Sequence, residues 1–181
     1  MSTYRRARAP GGTYFFTLVT YRRRKLFLDP RARSILRESV KEVHRDHPFK
    51  IDAWVLLPEH LHCVWTLPTG DADYSTRLGK IKAGFSKQAK SIFHKNERMN
   101  NSRRIRREST LWQRRFWEHE IRDEIDFQKH VDYVHYNPLK HGLVDCLKDW
   151  PYSTFHRRVK LGLYPADWAG FLDAPGASFG E

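Results

Sequence analysis

A chain of 181 residues is the length of one domain and can bury a substantial core. Its 40% hydrophobic and 14% aromatic content excludes a disordered chain, and no apolar run approaches the roughly 20 residues that a membrane helix needs. Lysine and arginine number 33 against 21 acidic residues, a net charge of +12 that calls for a polyanionic partner.

The rings among these arginines favour nucleic acid over an acidic lipid surface, because bases stack on aromatic side chains while phosphates pair with guanidinium groups. An N-terminal arm, residues 1–12, carries Tyr4, Arg5, Arg6 and Arg8 without the apolar stretch of a secretory signal. Cys63 and Cys146 follow no CxxC spacing. The expected setting is therefore the reducing cytoplasm, beside nucleoid DNA.

Thr13 to Thr20 is β-branched and aromatic, which predicts a first strand. Asp29-Pro30 reads as a cap followed by proline at the first helical position, and Ala32, Ile35, Leu36, Val40 and Val43 keep the helical period until Pro48. Phe49 to Leu57 and His60 to Leu67 predict two further strands, joined tightly through Pro58-Glu59 as an antiparallel hairpin. On a strand, His60 and His62 point to one face, with Leu61 and Cys63 on the other. Two such histidines on a half-buried strand are usually structural. Two neutral imidazoles on one face also suit a divalent metal that takes oxygen ligands besides.

Leu78, Ile81, Phe85, Ala89 and Ile92 mark one face of a helix from Tyr74 to Phe93; Lys80, Lys82, Lys87 and Lys90 fall mostly elsewhere, as a solvated face or a phosphate contact. Residues 94–110 are rich in arginine and read as a basic loop. Leu111 to His119 predicts a fourth strand, with Arg114 and Arg115 within it. Asp123 opens a last helix whose apolar stripe is Phe127, Val131 and Val134, with Lys129, Tyr133, Tyr136 and Asn137 on a different side. Pro138 is expected to break it, with Asn137 capping a further turn before Gly142. From about residue 145 a tail follows with Trp150, Tyr152, His156, Arg157 and Arg158, then a loosely held Gly- and Pro-bearing end.

The order β-α-β-β-α-β plus an additional C-terminal helix is that of an α+β, ferredoxin-like antiparallel sheet, as one domain over residues 1–181. Such a fold sets the His pair near mid-sheet and brings the last helix over it. Tyr133 and Asn137 share a helix face four residues apart. A tyrosine becomes a nucleophile when its phenolate is stabilised, and an amide oxygen is an acceptable ligand for Mg²⁺ or Mn²⁺. On spacing alone Tyr136 competes with Tyr133.

Several long motifs carry a resemblance: Gly11-Gly12-Thr13-Tyr14-Phe15-Phe16-Thr17, the run Trp54 to Trp65 around Pro58-Glu59-His60-Leu61-His62, Arg115-Phe116-Trp117-Glu118-His119, His130 to Gly142, and Asp149-Trp150-Pro151-Tyr152-Ser153-Thr154-Phe155-His156. In order and spacing, from about Tyr4 to Gly170, they resemble the REP-associated tyrosine transposases, relatives of the single-tyrosine HUH insertion-sequence transposases of bacteria. The resemblance implies a metal-dependent single-stranded DNA endonuclease and strand-transferase acting on palindromic DNA hairpins. It implies Tyr133 as nucleophile of a 5′-phosphotyrosine, His60, His62 and Asn137 as ligands of Mg²⁺ or Mn²⁺, and a monomer as the expected state, with a dimer as alternative. DNA contacts are expected from the arm (Tyr4, Arg5, Arg6, Arg8), from Arg114, Arg115 and Lys140, and from the tail (Trp150, Tyr152, His156, Arg157, Arg158). The segment 94–110 is longer than the resemblance leads one to expect. A non-catalytic hairpin-binding protein on the same fold is the competing reading, whereas a zinc deaminase lacks its His-x-Glu…Pro-Cys-x-x-Cys pattern here.

Overall fold

The computed structural model describes residues 9–170, so the calls on Tyr4, Arg5, Arg6 and Arg8 lie outside the described residues. One four-stranded antiparallel sheet runs in the order β2–β3–β1–β4, with β1 Thr13–Val19, β2 Lys50–Leu56, β3 His60–Thr66 and β4 Trp117–Glu120. The ferredoxin-like α+β expectation is met, and β3 is one of the two inner strands.

Alternation along the strands sorts two cores. Tyr14, Phe16, Leu18, Leu61, Cys63 and Trp65 face α1 (Pro30–Asp46) and α2 (Tyr74–Phe93), meeting Leu36, Leu78, Ile81 and Phe85. Asp29 accepts from the Arg31 amide with Pro30 at the first position, and Asp73 accepts from the Thr76 amide, so both helices start on carboxylate caps. On the other face Phe15, Ala53, Val55 and Val64 pack against Val131 and Val134 of a long helix, and against Leu147, Phe155 and Tyr164 of the tail. His60 and His62 share the parity of Val64, so the strand delivers them to this second face.

The sequence expectations need four corrections. The segment 94–110 contains a 3-10 turn at Asn96–Arg98 and a short helix, α3 (Asn101–Ile105), started by Asn100 accepting from the Arg103 amide. The fourth strand is split. Leu111 and Gln113 pair with the end of β1, through Tyr21 N to Leu111 O and Gln113 N to Val19 O, each 2.9 Å, and regular pairing resumes only at Trp117. Arg114 and Arg115 are exposed between these two pairings.

The last helix, α4 (Glu124–Lys140), continues through Pro138 rather than breaking before it. Asn137 is then not a cap but a fully buried residue of the helix interior, and its amide donates to the Tyr133 carbonyl at 2.7 Å. Finally, the tail is not loose through residue 170. Leu56 N donates to Tyr152 O and Thr154 N to Trp54 O, both 2.9 Å, so residues 152–154 cover the outer edge of β2 before α5 (Phe155–Lys160). Tyr164 is buried, its hydroxyl donates to the Asp132 carboxylate, and Trp168 stacks on it with centroids 4.4 Å apart.

Candidate active site

β3 and β1 together build the floor of the site. His60 and His62 are buried, with ring centroids 4.8 Å apart and planes at 81°. Each ring is oriented through Nδ1. Thr17, the cross-strand partner of His62, places Oγ1 2.8 Å from His62 Nδ1, and Glu59 Oε1 lies 3.0 Å from His60 Nδ1. With the proton on Nδ1, Nε2 presents its lone pair, as metal-binding histidines do when an oxygen partner fixes the tautomer. Arg23 lies 3.8 Å from Glu59, so the orienting carboxylate has a cation of its own.

Helix α4 forms the roof. Tyr133 packs edge-on against His62, centroids 5.3 Å apart, and against Phe15 at 5.9 Å, while Phe15 stacks on His62 at 5.4 Å. One turn later comes Asn137. Because its amide nitrogen is committed to the Tyr133 carbonyl, the position of Oδ1 is fixed; that oxygen is buried and accepts no hydrogen bond among the described residues. Such an atom costs about 1–3 kcal/mol unless something meets it. A hard divalent cation is a fitting partner for an amide oxygen beside two imidazoles. The donor set thus fits the group expected of it.

Two further residues join the site from the last turn of α4. Lys140 Nζ donates to the Tyr133 hydroxyl at 3.2 Å and lies 4.9 Å from the centre of its ring. Lys140, expected as a DNA contact, thus has its ammonium on the phenol oxygen. His141 was missed: its ring is 5.3 Å from that of His60. Positions 133, 137, 140 and 141 follow the helical repeat, so the signal was in the spacing, hidden by the expected break at Pro138. Tyr136 faces elsewhere. Gly170, at φ +81°, lies so close to its ring that a Cβ there would come within 2.6 Å of it.

A second cluster, His119, Asp126 and His130, was also missed, and its donor atoms lie within 4.8 Å of one another. Its atoms are committed to hydrogen bonding. His119 Nε2 is 2.9 Å from Asp126 Oδ2, an oxygen that also takes the Arg122 amide at 3.1 Å. His130 Nδ1 faces the Asp126 carbonyl at 2.8 Å, which requires a proton on that nitrogen and removes it as a ligand. Burial opposes the Asp126 charge, but the His119 and Arg122 hydrogen bonds and the two histidines outweigh it and hold the carboxyl down at about 2. Burial is also the largest influence on the His130 imidazole, which it lowers. The cluster ties β4 to the first turns of α4, next to Phe15, whose ring is 5.0 Å from His130.

The remaining candidates are spread over the surface. Arg114 pairs with Glu108 at 2.9 Å, and Arg115 is exposed. Trp150 Nε1 donates to Leu56 O at 3.1 Å, His156 Nε2 lies 3.0 Å from Trp150 O, and Arg157 donates to Ile51 O at 2.7 Å. Arg158 lies over Phe127 and Tyr164, and Arg33 covers Tyr152 at 4.5 Å. The tail residues therefore touch the sheet and α4, away from the histidines.

Comparison with known proteins places this geometry. The family of IS200-like transposases matches residues 10–137, a span that contains His60, His62, Tyr133 and Asn137. The chain is 48% identical over 181 residues to a REP-associated tyrosine transposase of Escherichia coli (strain K12), covering all of this chain and 98% of that one. A relative from Haemophilus influenzae is 44% identical over 173 residues, 96% of each chain. A solved structure of a REP-associated tyrosine transposase bound to a REP hairpin superposes with a TM-score of 0.79 at 47% identity, covering 94% of this chain and 93% of that one. With a matching fold, full-length identity and the histidine pair beneath a helix-borne tyrosine, the chain belongs to the REP-associated tyrosine transposases, within the IS200-like transposase family.

Proposed function

We propose that this transposase cuts and rejoins single-stranded DNA at the foot of a REP-like hairpin through a covalent 5′-phosphotyrosine on Tyr133. The observation that carries the reading is the seat of Tyr133: its ring lies against His62 and its hydroxyl against the Lys140 ammonium. Attack of Tyr133 Oη on phosphorus forms the new ester and releases the 3′ oxygen, which takes up a proton to leave as a hydroxyl. Reversal by another 3′-hydroxyl rejoins a strand without an external energy source.

Lys140 stabilises the phenolate form of the nucleophile by charge, and Phe15 and His62 fix its ring. His60, His62 and Asn137 are the residues that would hold Mg²⁺ or Mn²⁺, which when bound polarises the phosphate and offsets charge on the leaving oxygen. The orienting bonds from Thr17 and Glu59, and the buried Asn137 oxygen, support this assignment. The hairpin partner is taken over from the relative whose solved structure contains one.

An end-labelled hairpin, incubated with each variant and Mg²⁺ or Mn²⁺, tests the reading. Tyr133→Phe should give no protein–DNA adduct while Tyr136→Phe still does. His60→Ala and His62→Ala should bind the hairpin and fail to cut it. An adduct mapped to Tyr136, or cutting by either histidine variant at the wild-type rate, overturns it. Binding without cutting by the wild-type protein would favour a hairpin-binding module instead.

A further inference from the structure

We propose that the cleft between α2 and α3 grips the sugar-phosphate backbone of the paired hairpin stem. The inference rests on the hairpin reading above and assigns a surface to a part of the substrate that the catalytic site does not touch. The cleft has a volume of about 670 Å³, and seven basic side chains but one carboxylate line it. That carboxylate, Glu108, is already taken: Arg114 lies 2.9 Å away and Arg103 3.4 Å. Arg103 is buried and is the frame of the segment. Its guanidinium donates to Ser109 O at 2.5 Å and Trp112 O at 3.1 Å, and lies 3.9 Å from the centre of the Tyr21 ring. Lys82 is likewise committed, to Gln113 O and Arg114 O.

What then faces outward is Lys87 and Lys90 from α2 with Arg106 and Arg107 from the end of α3, all exposed. The only ring in the lining, Trp112, is 4% exposed. Cations without an accessible ring suit phosphates and give unpaired bases nothing to stack on, so the fitting ligand is duplex backbone rather than a single strand.

The wall of the cleft is also tied to the end of the sheet that carries His60. Gln113, at its wall, donates to the O of Val19, the last residue of β1, and Thr20, next in the chain, donates through Oγ1 to Glu59 O at 2.8 Å, the residue that orients His60. Between them stand exposed Arg22 and Arg23. Among the described residues, the non-glycine positions with positive φ are Arg22 (56°), Arg23 (48°) and Arg107 (51°). Each is a backbone conformation that glycine or asparagine adopts more readily, and Arg107 carries its guanidinium in the lining of the cleft.

The test uses the full chain and three probes: a REP-like hairpin with a complete stem, the same hairpin with its stem cut to a few base pairs, and a single-stranded oligonucleotide bearing the foot. Lys87→Gln/Arg106→Gln/Arg107→Asn should bind the complete hairpin at least about tenfold more weakly at 150 mM salt, with a salt slope shallower by about 2–3. Its affinity for the short-stem hairpin and its cutting of the single strand should match wild type. Unchanged affinity and slope on the complete stem, or the same fractional loss on all three probes, overturns the proposal. Hydroxyl-radical footprinting of the wild-type complex reads the same question without a variant: protection of stem sugars supports it, and a footprint confined to the unpaired foot overturns it. A protein that protects the stem yet forms no Tyr133 adduct would sink the catalytic reading and leave this one standing.

Discussion

At the scale of single residues, the ammonium of Lys140 is the feature with the sharpest consequence. A cation 3.2 Å from the Tyr133 phenol oxygen stabilises the negative charge that the proposed attack needs there. Lys140→Met should therefore slow adduct formation by about tenfold or more; hairpin affinity, read in parallel, should change little. Thr17→Val tests the orienting bond to His62. Removing such an outer partner typically costs about 10–100-fold in metal affinity or activity, so a titration of cutting against Mn²⁺ should shift by that factor, and an unshifted titration would dismiss the role of Thr17. A third residue matters for stability. Burial, followed by the charges of Arg158 and Arg157, pushes the His135 imidazole down to about 3, while its Nε2 lies 2.9 Å from Thr154 Oγ1. Its folded value lies below the unfolded value of about 6.5. The stabilisation is whole above that pH and drains away as the pH falls toward 3. In His135→Gln the melting temperature should stay flatter between pH 6.5 and 4 than in wild type; parallel curves would contradict this.

At the scale of elements, α4 is both the site and its support. Asp126 gathers His119 from β4 and His130 from α4, so Asp126→Ala strands two ring partners at once and should cost about 1–3 kcal/mol, read as a lower melting temperature. Under the proposed mechanism adduct formation should slow as well, because the helix that carries Tyr133 is less firmly registered on the sheet; wild-type melting would refute the clamp. This helix also marks how far the sequence alone could be read. The strands, the first two helices and the His60–His62 pair were legible, because period-2 and period-3.6 patterns, with Asp29 and Asp123 opening helices, speak locally. Pro138 misled, since a proline lacks only its own amide bond and a helix buried against a sheet survives the loss. With the break misplaced, Asn137 read as a cap, and Lys140 and His141 fell outside the site. The split of the fourth strand was illegible for a different reason. Leu111 and Trp112 have the character of strand residues, and they do pair with β1, but the excursion at 114–116 depends on where α2 and α3 stand.

At the scale of the whole molecule, neither edge of the sheet presents a long ladder to a further strand among the described residues. Residues 152–154 cover β2, and β4 is four residues long, which leaves little ladder for a second copy. Sedimentation should accordingly give one species near 21.6 kDa at micromolar concentration; a dimer would show that another surface associates.

The covering of β2 has a temporal meaning as well. Thr154 accepts the Trp54 amide at 2.8 Å from 100 positions further along the chain, and beside it Phe155 and Tyr164 complete the core beneath α4. During synthesis from the N-terminus, His60 and Tyr133 both leave the ribosome before the residues that fasten the sheet edge and the helix do. Pairings this distant are late and slow to form. A ribosome-stalled chain ending near residue 145 should therefore be protease-sensitive around β2 and unable to form an adduct, and both defects should disappear once stalling is moved far enough downstream to free residue 170. The site would then assemble only after the segment that carries Thr154 and Tyr164 has left the ribosome.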